Sequence, residues 1–345
     1  MERRRIGART VVLVNRPAVL AWSSIVGQKE SQGPYGSCFS CVIEDELNGQ
    51  DSFEAAERSM LETAVKGCIE TSGYRTEDIQ VLLAGDLLNQ IVSAGFAARN
   101  IGIPFYGLYG ACSTMSESLS LGSMLTDGGY AERLVCATCS HFCTAERQYR
   151  APLELGGQRP PTAQWTVTGA GAVLLARGTA AERASVVVTH TTCGRVIDLG
   201  VTDANNMGAA MAPAAADTIL AHIADTGRKP EDYDLIVTGD LGRLGRTLLI
   251  ELLEKNGMNV DPGKVFDCGC EIYGEEQDTH CGGSGCGCAA SMLCAHVLPE
   301  LASGRLQRVL FLATGALLST TTSMQGESIP GVAHAVVLEH KEGAE

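Results

Sequence analysis

The chain of 345 residues carries 45% hydrophobic and 19% charged side chains, only 5% aromatics, 40 glycines and a formal charge of −14. That length and apolar content suit one large folded domain or two ordinary ones and exclude a disordered chain. The acidic balance, with Arg3, Arg4 and Arg5 as the sole basic run, excludes a nucleic-acid backbone as partner, because phosphate contacts need clustered Lys and Arg.

In chain order, the basic run reads as a solvated end, and the apolar Val11–Val14 after it is broken by Asn15, Arg16 and Pro17, far short of a signal-peptide core. No stretch approaches the roughly 20 apolar residues of a spanning helix. Membrane association is therefore expected to be peripheral or through a partner. The fourteen cysteines, with no secretory signal before them, are expected as reduced thiols in a cytosolic protein.

Asp51 is the expected cap of a first helix, with Glu54 completing a capping box. Leu61, Ala64, Val65 and Cys68 recur at helical spacing and Gly73 stops the helix. Val81–Leu87 then reads as a buried strand ending in Gly85-Asp86. An apolar strand from Ile103 to Leu108 runs into Gly110-Ala-Cys112-Ser-Thr, which opens a helix over Ser113–Asp127. Gly129 ends that helix before another buried strand, and Ala170–Leu175 is a further strand.

After a polar link around Arg177–Ala184 the plan repeats. Ser185–His190 is a strand, and Pro213 stands near the start of a helix over Asp217–Ile223. Leu235–Leu241 matches Val81–Leu87 position by position and ends in Gly239-Asp240. The glycine-rich run 282–288 feeds a helix over Cys286–Ala302, and Gly304 precedes a strand as Gly129 does. The halves, 1–176 and 185–345, are each read as βαβαβ. They form either two domains or one five-layered unit, and the repeat alone leaves both open.

Cys112 is the strongest candidate for chemistry. A thiol at a helix N-terminus has its thiolate favoured by the dipole, as a nucleophile needs, although a small buried cysteine in a tight turn reads the same way. His141 and His334 are the candidate bases. Asp86 and Asp240 sit where α/β proteins place their sites, at the carboxyl ends of strands, and could equally cap turns. The loop containing Ser284, Gly285 and Cys286 exposes backbone N–H groups suited to an anion, or is a packed turn. It lacks the Lys and the spacing of a nucleotide-binding loop, and no cofactor is expected. The cysteine groups Cys38/Cys41, Cys136/Cys139/Cys143, Cys268/Cys270 and Cys281/Cys286/Cys288 lack the paired spacing of zinc sites. They read better as small buried hydrophobes than as metal ligands.

The duplicated halves, Gly110-Ala-Cys-Ser-Thr and Thr168-Gly-Ala-Gly-Ala-Val-Leu-Leu resemble the thiolase and ketoacyl synthase superfamily. Leu82–Gln90, which includes Asn89, together with Thr144–Arg150, Ile197–Asp203, Met207–Thr218 and Ala313–Ser319, are similar to the stage V sporulation protein AD family, from about Val12 to Glu339. The resemblance implies an α/β thiolase-like fold whose two pseudo-two-fold-related βαβαβ halves form a five-layered αβαβα unit, and a homodimer. Cys112 falls at the nucleophile's place in that superfamily. The second half carries Thr238-Gly-Asp-Leu-Gly and Gly283-Ser-Gly-Cys-Gly where condensing enzymes carry His and Asn or His, so the catalytic set is incomplete.

The family implies a different role, as the dipicolinate-binding component of the system that moves dipicolinate, as its calcium chelate, into the spore. Integral-membrane proteins of the same complex are its implied partners, and its implied place is the cytoplasmic side of the forespore inner membrane, held peripherally. The alternatives are an acyltransferase or thiolase-type condensing enzyme using Cys112 with His141 or His334, and a scaffold with a vestigial pocket. In the expected ligand site, Asp86, Asn89, Cys112, Ser113, His141, Asp240, Ser284, Gly285 and Cys286 come together. The helices starting at Ser113 and Cys286 each face one carboxylate of dipicolinate, and Asp86 and Asp240 contact its calcium.

Overall fold

In the computed structural model the described residues are 4–150 and 159–341. Arg3 of the basic run and the side chain of Arg150 lie outside them. The first half contributes, in order, β1 (Ala18–Val26), α1 (Phe53–Ser72), β2 (Val81–Gly85), α2 (Val92–Ile101), β3 (Phe105–Gly107), α3 (Thr114–Gly128), β4 (Arg133–Ser140), α4 (Phe142–Arg150) and β5 (Gly169–Ala176). The second gives β6 (Val186–Thr192), α5 (Met207–Thr226), β7 (Leu235–Thr238), α6 (Gly242–Lys255), β8 (Val265–Asp267), a helix α7 (Cys286–Ala302), β9 (Arg308–Leu312) and β10 (Ala335–His340). Each half is thus longer than the βαβαβ read from the sequence.

Ten principal strands form one sheet in the order β3-β2-β4-β5-β1-β6-β10-β9-β7-β8. β2 lies parallel to β3 and β4, and β7 lies parallel to β8 and β9 in the same way. β4–β5 and β9–β10 are antiparallel. The halves meet where β1 and β6 pair antiparallel, Val19 opposite Val186, so the order reads identically outward from that seam.

Three apolar clusters make the layers. α1 and α2 cover the outer face of the first half through Met60, Leu61, Val65 and Ala97. α5 and α6 cover the second through Met211, Ile219, Leu249 and Leu253. Between them α3 and α7 lie back to back in the largest cluster, with Met115, Leu119, Met292 and Leu298 touching strands of both halves. This is the five-layered αβαβα arrangement, and it brings the N-termini of α3 and α7 together at the seam.

Several local expectations are corrected. Ser52, not Asp51, caps α1, its side chain accepting from the Ala55 N–H. α5 begins at Met207 under an Asn206 cap, so Pro213 is inside it, where it removes the bond to the Ala209 carbonyl. α5 is also twenty residues long and apolar enough, by length and composition, to cross a bilayer, which no stretch was expected to be. More than half of it is buried in the second half's outer layer, as in a core helix. Arg4 and Arg5 are not free: Arg4 pairs with buried Asp127 at 2.6 Å, and Arg5–Ile6 pairs with Thr10–Val12.

Candidate functional site

β2 and β7 end at equivalent points, Gly85-Asp86 and Gly239-Asp240. A Cβ on Gly85 would lie 2.0 Å from the Leu108 carbonyl oxygen, so only glycine lets β2 pass the turn that leads into α3. Beyond these ends a small pocket, with a cavity volume of about 30 Å³, opens between the halves. Leu87, Ala111, Cys112, Ala145, Tyr149 and Thr166 line it from the first half, and Met207, Ser284, Ala316 and Leu318 from the second. No Lys, Arg, His, Asp or Glu is among these residues.

Cys112 sits at the turn into α3, after Ala111 in the left-handed region (φ 51°). Its thiol is nearly fully buried, and burial, with Asp240 and then Cys286 beside it, pushes it well above the usual thiol range. Desolvation outweighs the helix dipole here, so the thiolate expected from the sequence is disfavoured. Cys286 packs on Cys112, Leu87 and Ala145 and donates to the Cys139 carbonyl at 2.9 Å.

Asp240 is wholly buried behind Cys112 and Ser284. Its carboxylate accepts from the Gly285 N–H at 2.9 Å, the Thr314 hydroxyl at 2.9 Å and, at 3.5 Å, the Ser284 hydroxyl; the Cys112 thiol also hydrogen-bonds to it. Burial nevertheless pushes its pKa up to about 7. Asp86 does different work. It accepts from Leu88 N–H and Ala94 N–H, both at 2.7 Å, holding the turn from β2 into α2. Burial raises it to about 6, and Glu57 beside it, also fully buried, is pushed well above the carboxylate range by burial and by Asp86.

The expected constellation assembles in part. Cys112 and Ser284 line the pocket, with Asp240, Gly285 and Cys286 directly behind. Asp86 is not on the pocket wall, and both of its oxygens are taken by the backbone N–H groups of Leu88 and Ala94. Ser113 is buried with its hydroxyl donating to the Gly110 carbonyl. Asn89 is exposed beside the pocket, its backbone N–H donating to Gln148 Oε1 and its side-chain Oδ1 accepting from the Tyr109 hydroxyl. At the α7 N-terminus, where a ligand carboxylate was expected, the Gly285 N–H goes to Asp240 and the Gly287 N–H to the Ser140 hydroxyl.

Neither candidate base reaches the pocket wall. His141 is buried with Nδ1 accepting from the Cys143 N–H and Nε2 2.8 Å from the Glu46 carbonyl, and burial lowers its pKa. His334 Nδ1 accepts from the Gly194 N–H.

All fourteen cysteines are free thiols. Among the described residues, the group that could hold a metal is Glu46, His141 and Cys143, which combines one cysteine from the sequence groups with the candidate base His141 and with Glu46. The bond from Cys143 N–H to Nδ1 fixes the ring proton on Nε2, where it is donated to Glu46. No lone pair on the imidazole is left for a cation.

The sequence reading missed Tyr149, Thr166, Met207 and Leu318 as walls and Asp267 as a support. Three of these, Tyr149, Met207 and Leu318, fall in the Thr144–Arg150, Met207–Thr218 and Ala313–Ser319 runs that carry the family likeness. That was the available signal.

Comparison with solved structures identifies the class. The chain superposes on 3-oxoacyl-[acyl-carrier-protein] synthase III of Aquifex aeolicus with TM-score 0.58 at 13% identity, over 94% of this chain and 100% of that one. It matches a variant of OleA from Xanthomonas campestris with TM-score 0.62 at 16% identity, over 93% and 98%. For human mitochondrial 3-ketoacyl-CoA thiolase in complex with CoA the score is 0.59 at 13% identity, over 96% and 99%. The fold is thiolase-like. Within that class the chain belongs to the Stage V sporulation protein AD (SpoVAD) family, whose profile matches residues 7–339. It is 45% identical over 338 residues to Stage V sporulation protein AD of Bacillus subtilis (strain 168), covering 98% of each chain.

Proposed function

We propose that this chain binds dipicolinate in the pocket between its halves, free or as the calcium chelate, and does not catalyse acyl transfer. The observation that carries the reading is Asp240 behind Cys112. The thiol rests on a buried carboxylate instead of an imidazole, is held protonated by burial, and has no histidine among the pocket's lining residues. Nothing there generates a nucleophile at neutral pH. The chemistry of the walls suits a small flat ring: Leu87, Met207 and Leu318 offer apolar faces, and Cys112, Thr166 and Ser284 offer polar atoms for its edge.

In the cell, the protein would act in dipicolinate uptake beside integral-membrane proteins of the same sporulation complex, peripherally on the forespore inner membrane and as a homodimer. The rival reading, acyl transfer through Cys112, draws support from the strained turn at Ala111 that presents the thiol to the pocket. Calorimetric titration of dipicolinate, with and without calcium, beside a turnover assay on acyl-CoA and acyl-carrier substrates, separates the two. Saturable binding without turnover supports the proposal, and turnover that disappears in Cys112→Ala overturns it.

A further inference from the structure

The pocket presents a difficulty for an anionic ligand. Dipicolinate is a dianion, yet no cationic side chain lines the pocket, and a buried carboxyl group stands directly behind two of the polar atoms the ligand would meet. Asp240 touches Cys112 from the start of α3, Ser284 and Gly285 from the turn into α7, and Thr314 after β9. The charged or titratable groups acting on or near it are the thiols of Cys112, Cys268, Cys286 and Cys288 and the carboxyl group of Asp267. Gln164 donates to its backbone carbonyl and brings no charge. Among the described residues no Lys, Arg or His forms an ion pair with it. A second anion next to Cys112 would therefore face an uncompensated charge in a poorly solvated site.

We propose that Asp240 receives the ligand as a neutral carboxylic acid, so that binding of a dianionic dicarboxylate takes up one proton from solution. This deepens the dipicolinate reading and rests on it. Protonation does two things at once. It removes the repulsion, and it reverses the hydrogen bonds behind the pocket wall. When Asp240 is ionised, the hydrogens of the Cys112 thiol and Ser284 hydroxyl are drawn back towards its oxygens. When it is protonated, Asp240 donates its own hydrogen to one of them, and the freed S–H or O–H can turn into the pocket towards a ligand carboxylate. The Gly285 N–H and Thr314 hydroxyl hold the carboxyl group in place in both states. Asp240 is thus a positioning residue for binding, and its burial leaves it poised, near pH 7, between the two forms. A calcium chelate, in which the two ligand charges are already neutralised, needs no such proton.

Calorimetry on the wild-type protein tests this directly, using calcium-free dipicolinate in two buffers of different ionisation enthalpy. At pH 7 the dianion should take up about half a proton per site. Its affinity should fall about tenfold between pH 6 and pH 8, following the protonated fraction of the site. The chelate should show neither effect. Asp240→Asn, fixed in the neutral form, should bind the dianion with equal affinity at pH 6 and pH 8. Binding of the dianion with no proton uptake and no pH dependence would overturn the inference while leaving the dipicolinate reading intact. Absence of binding at every pH, for dianion and chelate alike, would overturn the reading itself.

Discussion

Asp86 and Asp240 end the same strand of the same repeat, yet only one of them serves the pocket. In the first half Asp86 gives both oxygens to backbone N–H groups at the entry to α2. In the second half Asp267, from the end of the neighbouring β8, takes over that task. It accepts from Leu241 and Gly242 N–H at 2.8 and 2.9 Å, from Cys270 N–H at 3.0 Å and from the Thr238 hydroxyl at 2.7 Å. Relieved of capping, Asp240 is free to support Gly285 and Cys112. The duplication keeps the topology, and the site arises where the two copies differ in which carboxylate holds the turn.

The comparison is broken most sharply by removing the supports. Asp267→Ala should be the costliest change, about 3–5 kcal/mol, because four donors lose their acceptor in a dry interior. Asp86→Ala strands two backbone donors and should cost about 2–3 kcal/mol, partly offset by relief of Glu57. Asp240→Asn keeps shape and one acceptor oxygen and should cost under about 1 kcal/mol. Urea denaturation of the three variants checks the order. A cost for Asp240→Asn equal to that for Asp267→Ala would mean that Asp240 is a structural cap after all.

The dependence of stability on pH sharpens the same point. Burial raises Asp240 and Glu30 to about 7 and Asp86 to about 6, so the folded chain keeps protons that the unfolded chain releases above about pH 4. Their contribution is fully present below that point and is lost as pH rises through 6 to 7. The buried histidines work in the opposite direction. Burial lowers His222 to about 3 and His190 to about 4, so their contribution is full above about pH 6.5 and declines as pH falls. The carboxyl groups outnumber the imidazoles, and the urea midpoint should drop between pH 5 and pH 8. Asp240→Asn should lessen that drop; an unchanged pH profile would remove Asp240 from the titrating groups.

The smallest expected effect is at the thiol. Iodoacetamide should modify the exposed Cys38, Cys41 and Cys193 well before Cys112, and Cys112→Ala should weaken ligand binding only a few-fold. Mass mapping of the modified protein would show the order, and modification of Cys112 ahead of the exposed cysteines would restore the nucleophile reading.

Much of the frame was legible in the sequence, because buried strands and glycine-terminated helices leave periodic marks. Gly73 and Gly129 do end α1 and α3 in the left-handed conformation, and the matched runs 81–87 and 235–241 do form equivalent strands. The strand read over Ile103–Leu108 is the shorter β3, whereas the helices α2 and α6 were not read, nor was β8, whose three residues carry too little pattern. α5 was begun too late because Pro213 suggested a helix start, while the Asn206 cap and an alanine-rich core face outweigh the one lost hydrogen bond. Within the site, Cys112, Ser284 and Asp240 were legible from their places at strand and helix ends. The different duties of Asp86 and Asp240 were not. They depend on Asp267, which comes from a neighbouring strand and has no local signature.

The central claim, a ligand pocket between the halves in place of an acyl-transfer centre, is tested most directly by titrating dipicolinate into the wild-type protein and into Leu318→Trp. Leu318 is a partly exposed wall of the pocket, so an indole there should occupy the ligand's space without disturbing the core. Gly285, by contrast, has positive φ, and its Cβ would meet the Ser140 hydroxyl at 2.8 Å, so bulk at that position would also strain the fold. The account predicts saturable binding of one dipicolinate per wild-type chain and its loss in a folded Leu318→Trp. Equal binding by both proteins, or none by the wild type with or without calcium, would contradict it.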